Sequence, residues 1–162
     1  MRRTLMEVRE IMSSPPITVR PDSDIRTVAR MMREHQISGL PVTDEHGKLL
    51  GTITELALIR RNAPLKKPQY IAVLSAYIPV NLEDHREYQA QLKRAMALNA
   101  GELMSARNKT IEPDTSIETA LELMLDPEIT LLPVMEGEQV VGVVTRTDIV
   151  RLIESLEMSE TD

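Results

Sequence analysis

The 162-residue chain contains no Cys, no Phe and no Trp, and aromatic residues make up only 2 % of it. Without Cys there are no disulfides, thiolate metal sites or Cys nucleophiles, and the redox compartment is left open. So few rings cannot form a stacking platform for single-stranded nucleic acid. The core must be built from Leu, Ile, Val and ten Met, Met adapting where aromatics are absent. A net charge of −6 argues against a polyphosphate backbone as partner, because that needs a basic face. Small anions remain possible ligands, since a helix N-terminus and one or two Arg can hold them.

Long apolar runs are missing too. The longest, "YIAVLSAYIPV" at 70–80, is too short to span a bilayer. "MRRTLMEVRE" lacks the apolar stretch of a signal peptide, so a cytoplasmic protein is the expectation. No glycine-rich phosphate loop, HExxH or GxSxG occurs. His35, His46 and His85 have no partner at metal-ligand spacing and fit surface or helix-end roles, so no metal site is expected. "EDHRE", Glu83 to Glu87, reads as a solvated helix start rather than a cation site. No nucleophile or general-base pair can be assembled, and catalysis is not expected.

What is present is a duplication. "IMSSPPITVRPDSDI" aligns with "LMSARNKTIEPDTSI", placing Thr18 on Thr110, an offset of 92 (110 − 18). "HQISGLPV" and "PEITLLPV" follow at that offset, with Pro41 on Pro133. After the loss of one residue in a turn, "GTITELALIR" (51–60) meets "GVVTRTDIVR" (142–151). Each unit predicts a short strand (Ile17 to Val19; Thr110 to Glu112), a Pro-Asp turn and a helix. The first helix has its apolar stripe at Ile25, Val28, Ala29 and Met32, and the second at Ile117, Ala120, Leu121 and Met124. Two strands joined by a Gly-containing turn follow, then a helix from Thr54 or Thr145. The fold class is therefore α+β, with two β-α-β-β-α repeats spanning 8–62 and 101–158. A linker insert occupies 63–100. Its first half is basic, then apolar. "RRNAPLKK", Arg60 to Lys67, reads as a solvated linker, with ligand phosphates or an acidic partner as alternative contacts. Its second half predicts a helix capped by Asn81, with Asp84 as in a capping box and Gly101 closing it. A weak stripe at His85, Tyr88, Leu92, Ala95 and Leu98 or Asn99 docks that helix, and a subunit contact is its candidate role.

The ordered pattern "MSS…TVRPD…GLPVTDEHGKLLGTIT" with "MSA…TIEPD…LLPVMEGEQVVGVVTRTDI" resembles the tandem CBS domain (cystathionine beta-synthase domain), over roughly two-thirds of the chain. The resemblance implies a Bateman module whose repeats pack with pseudo-two-fold symmetry. It also implies a non-catalytic regulatory module that binds an adenine nucleotide (AMP, ADP or ATP) as regulatory ligand, with no required cofactor. A homodimer and a protein effector are the implied partners. Cyclic dinucleotides or S-adenosylmethionine are the alternative ligands, and a ligand-free dimerisation module is the alternative role.

The corner at Thr145 has its own chemistry. Free N–H groups of a first helical turn suit phosphate, with Arg146 able to add a full charge. Asp148 offers two oxygens to the vicinal hydroxyls of a ribose, and Gly142 is read as leaving room beside the strand for the ligand. Thr-x-x-Asp is equally a helix-capping arrangement, and one carboxylate can serve both roles. Carried over from the family, the site adds Ser13, Ile17, Leu40 and Pro41 as walls around the base. The mirror site, by the same carry-over, uses Thr54, Ser105, Thr110, Leu132 and Pro133. There Ala57 replaces the carboxylate, while Glu55 points about 200° away around the helix. That site is expected to be weak, empty or altered in ligand.

Overall fold

The computed structural model describes residues 6–159, so the first five residues of the stretch read for a leader lie outside it. Two β-hairpins and their helices form two repeats, with a helical insert between them. In the first repeat α1 (Ile25–His35) precedes β1 (Gly39–Thr43), β2 (Leu49–Thr54) and α2 (Glu55–Asn62). The insert holds β3 (Tyr70–Val73), β4 (Ala76–Pro79) and α3 (Leu82–Ala95). A short α4 (Ala100–Leu103) leads to the second repeat: α5 (Ile117–Met124), β5 (Leu131–Glu136), β6 (Gln139–Thr145) and α6 (Arg146–Ser159).

β1 pairs antiparallel with β2, and β5 with β6, in matching registers: Val42 opposes Gly51 and Val134 opposes Gly142. The turns close through Gly47 at φ 80° and Gly137 at φ 61°, a left-handed backbone that other residues resist. The predicted leading strands shrink to single parallel bridges, Val19 to Val42 and Ile111 to Val134. The reason is proline. Extending either ladder toward residue 17 or 109 needs the N–H of Pro41 or Pro133, which proline lacks.

α1 begins under an Asp24 cap, whose carboxylate accepts the Thr27 N–H at 2.7 Å. The Thr27 side chain, and then this backbone contact, hold the Asp24 carboxyl below its ordinary range. Val28 and Met32 are buried in α1, as Ala120 and Met124 are in α5. Ala29 and its counterpart Leu121, both predicted to lie on the stripe, are exposed.

Each repeat borrows part of its core. The second core gathers Leu132, Val144 and Ile149 around Val8, which comes from before the first repeat's helix. The first core gathers Val28, Leu40 and Ile53 around Ala97, Ala100 and Leu103 from the end of the insert and α4. Backbone contacts repeat across the pseudo-two-fold. Ser13 and Val143 exchange bonds of 2.9 and 3.1 Å; Ser105 and Thr52 exchange bonds of 2.9 and 3.0 Å.

The insert differs from expectation in two places. Its apolar half folds as the β3–β4 hairpin, closed by Leu74 and Ser75 at φ 47° and 70°. Its helix ends at Ala95, and Gly101 lies inside α4 rather than closing α3. Asn81 caps α3 through the Glu83 N–H at 2.9 Å, not through a box with Asp84. The half-buried positions of α3 include His85, Tyr88, Leu92 and Ala95 of the expected stripe, whose last position, Leu98 or Asn99, lies beyond the end of the helix. Tyr70 of the hairpin meets this helix through a 3.0 Å hydrogen bond between its hydroxyl and His85 Nδ1.

Candidate functional site

A cavity of about 510 Å³ opens between the repeats at the start of α6. One side is the segment carrying Ser13, Pro15, Pro16 and Ile17; another is the end of α1, with Arg33, His35 and Gln36. Thr145, Asp148 and Arg151 complete it from the second repeat. Ser13 reaches this place because its backbone pairs with Val143 of β6, one residue from Gly142.

Asp148 is only 7 % exposed. Its Oδ2 accepts the Thr145 N–H at 2.8 Å and the Thr145 hydroxyl at 3.0 Å, while the Asp148 N–H faces that hydroxyl at 3.4 Å. The capping reading is therefore met in full by one carboxylate oxygen. The other, Oδ1, lies 3.7 Å from Arg151 Nη1. Arg151 is itself largely exposed at the cavity, so that pair contributes little to the fold and leaves Oδ1 open to a further donor.

Of the residues predicted for this site, Ser13, Ile17, Thr145 and Asp148 line the cavity together. Leu40 and Pro41 are fully buried in β1, inside the first core, while Ser38 and Gly39 just before them line the cavity. Arg146 does not line it either. Its guanidinium donates to the carbonyls of Met124 (3.2 Å), Asp126 (3.0 Å) and Ile129 (3.2 Å), tying down the end of α5. Met124 ends α5, where carbonyls lack intrahelical donors, and Asp126 and Ile129 follow in the turn, so the cation is drawn there. The space beside Gly142 belongs to the protein as well: a side chain there would meet Met12 and the Ser13 carbonyl. The cavity residues absent from the predicted set include two arginines. Arg151 stands on the face of Asp148 by its i, i+3 spacing, a signal that was available. Arg33, in the last turn of α1, carried none.

The mirror cleft, about 490 Å³, contains Thr54, Ala57 and Ser105 of the predicted set and its surroundings. Leu132 is fully buried, and Pro133 borders only a 60 Å³ recess next to Thr54. Thr110 faces a different depression, with Lys48 and Glu138. At the repeat offset the counterpart of Ile17 is Lys109 rather than Thr110, and Lys109 does line the cleft. Among the described residues no cluster of His, Cys, Asp and Glu could hold a metal ion, and no helix is long and apolar enough to cross a membrane.

Comparison with known proteins places this arrangement. A protein of Methanocaldococcus jannaschii without characterised function is 30 % identical over 158 residues, covering 92 % of both chains. The crystal structure of CBSX2 in complex with AMP superposes at TM-score 0.73 with 20 % identity, over 92 % of this chain and 97 % of that one. The CBS domain pair of protein MJ0100, in complex with 5'-methylthioadenosine and S-adenosyl-L-methionine, superposes at TM-score 0.67 with 27 % identity, over 94 % and 98 %. The CBS domain family model matches residues 8–63 and again 100–155, the two repeats built around these clefts. With more than half of its length so matched, the chain belongs to the CBS domain family, as a tandem pair.

Proposed function

We propose that the chain is a non-catalytic regulatory module that binds an adenosine-containing ligand in the cleft of Asp148. The observation that carries this reading is the Asp148 carboxylate, nearly buried at the cavity, with Oδ2 held by Thr145 and Oδ1 opposed only by Arg151 at 3.7 Å. Held so, Oδ1 accepts ribose hydroxyls without losing the helix cap. Ile17 and the Pro15–Pro16 segment flank the base, and the Ser13 region lies beside it. Arg33 and Arg151, not Arg146, are the cations available to a phosphate. AMP, ADP or ATP is thus the first choice of ligand. The 27 %-identical MJ0100 pair favours a second one, 5'-methylthioadenosine or S-adenosylmethionine. Occupancy would shift the packing of the two repeats, and a second copy of the chain or an effector protein would read that shift.

Thermal unfolding with excess AMP, ATP, S-adenosylmethionine, 5'-methylthioadenosine and cyclic di-AMP tests this. A ligand selective for the folded state raises Tm, by about 2.7 kcal/mol of stability at a hundredfold excess over Kd. The rise should vanish in Asp148→Ala. Loss of the AMP response but not the 5'-methylthioadenosine response in Arg151→Gln would show a phosphate contact. No shift with any ligand would leave Asp148 as a cap in a purely structural module.

A further inference from the structure

The mirror cleft has not merely lost the features of the first; it has exchanged them for positive charge. Three positions define the change. Asp148 corresponds to Ala57, Pro15 to Arg107, and Ile17 to Lys109. The carboxylate that would accept a ribose diol is gone, and two apolar wall positions have become cations. Arg60 stands where Arg151 stands in the first cleft, but has no carboxylate on its own helix face and reaches across to Glu128 at 3.6 Å.

The insert adds to this charge. Arg94 of α3 lines the mirror cleft, and both Arg94 and Arg60 also line an adjoining depression of about 460 Å³ between α2 and α3. Lys66 lies in that depression. Two openings with two shared cations make one continuous groove carrying five positive side chains.

Three carboxylates border the groove, and each already has a donor. Glu128 faces Arg60, Asp126 accepts the Glu128 N–H at 2.9 Å, and Glu87 accepts the Gln91 amide at 3.1 Å. Among the described residues Arg94, Arg107, Lys109 and Lys66 have no ion pair. One more group points the same way. The Thr130 hydroxyl, buried in the small recess that shares Thr54, Arg107 and Lys109 with the cleft, has no hydrogen-bond partner among the described residues. A buried donor without a partner is costly and is normally satisfied by something bound.

We propose that this groove is an oxyanion site, binding a ligand with two or more phosphate groups and making no use of a nucleoside. Lys109 and Arg107 hold one phosphate where the cleft meets the recess of the Thr130 hydroxyl, and Arg60 and Arg94 hold the next toward the insert. The inference does not depend on the ligand of the Asp148 cleft, and its test includes a variant that disables that cleft.

Isothermal titration with sodium tripolyphosphate at low ionic strength is the experiment, with pyrophosphate, ATP and adenosine as further arms. Tripolyphosphate should bind the wild type at one site, weaken as salt is added, and ignore saturating adenosine. Affinity should fall about tenfold or more in Arg107→Ala/Lys109→Ala, the loss typical of charge-assisted hydrogen bonds. It should also fall in Arg94→Ala and be unchanged in Asp148→Ala. Arg107, Lys109 and Arg94 are exposed, so an unaltered Tm should accompany these losses; Lys109→Gln is the milder variant if the double one unfolds. Competition by ATP in the Asp148→Ala background would identify a nucleotide's phosphate chain as the source. Binding of tripolyphosphate without such competition would identify a free polyphosphate. No binding of tripolyphosphate to the wild type, unchanged binding in the double variant, or loss of binding in Asp148→Ala would each overturn the proposal.

Discussion

Asp148 and Ala57 occupy equivalent positions early in α6 and α2, and the two helix starts differ accordingly. Thr145 donates both its N–H and its hydroxyl to Asp148, whereas Thr54 makes no side-chain cap at all. Asp148→Ala should therefore lower stability by about 1 kcal/mol, the usual loss when a helix cap is removed. Ala57→Asp should restore the cap at Thr54, raise stability by a similar amount, and weaken tripolyphosphate binding in the mirror groove. Urea titration of both variants measures the first effect as a shift in midpoint at constant slope. The carboxylate difference was legible in the sequence because the corner repeats residue for residue. The exchange of Ile17 for Lys109 was legible at the same offset of 92, at which Thr110, the residue named for the mirror site, answers to Thr18 instead.

Arg146 shows how an element can claim a residue that seemed destined for a ligand. In the sequence it stands in a first helical turn, where a cation and free N–H groups suggest an anion. In space the end of α5 and the turn after it, residues 124–129, bring three carbonyls to its guanidinium. Those carbonyls arrive from about twenty residues away, so spacing along α6 could not reveal them. Arg146→Met should cost roughly 1–3 kcal/mol by leaving acceptors unpaired, while the Kd for AMP stays unchanged. A matching loss of AMP affinity would return Arg146 to the binding site. The β3–β4 hairpin was hidden for a different reason. Tight two-residue turns usually announce themselves with Asn or Gly, and here Leu74 and Ser75 adopt the left-handed backbone instead. α1, α5 and the two larger hairpins were legible because apolar periodicity, an Asp or Ser cap and Gly turns agreed there, whereas α4 and the early end of α3 had no such signal.

At the scale of the whole molecule, the pseudo-two-fold was visible in the duplicated sequence, but the exchange of core pieces was not. Val8 completes the second core, and Ala97, Ala100 and Leu103 complete the first. Such contacts join distant segments, and no local pattern encodes them. They bind the repeats into one unit, so unfolding should proceed in a single transition whichever probe is used.

The hairpin tip carries that exchange to a practical end. Leu74 is 98 % exposed, on a turn whose strands pair only with each other among the described residues. Cutting the chain there would leave an N-terminal fragment carrying Val8 and a C-terminal fragment carrying Ala97, Ala100 and Leu103. Each fragment would hold the piece its counterpart needs. Neither half should fold alone, yet mixed they should reassemble into a nicked but complete molecule, with both clefts restored. The insert is thus a natural seam, at which the protein can be split into two mutually dependent parts.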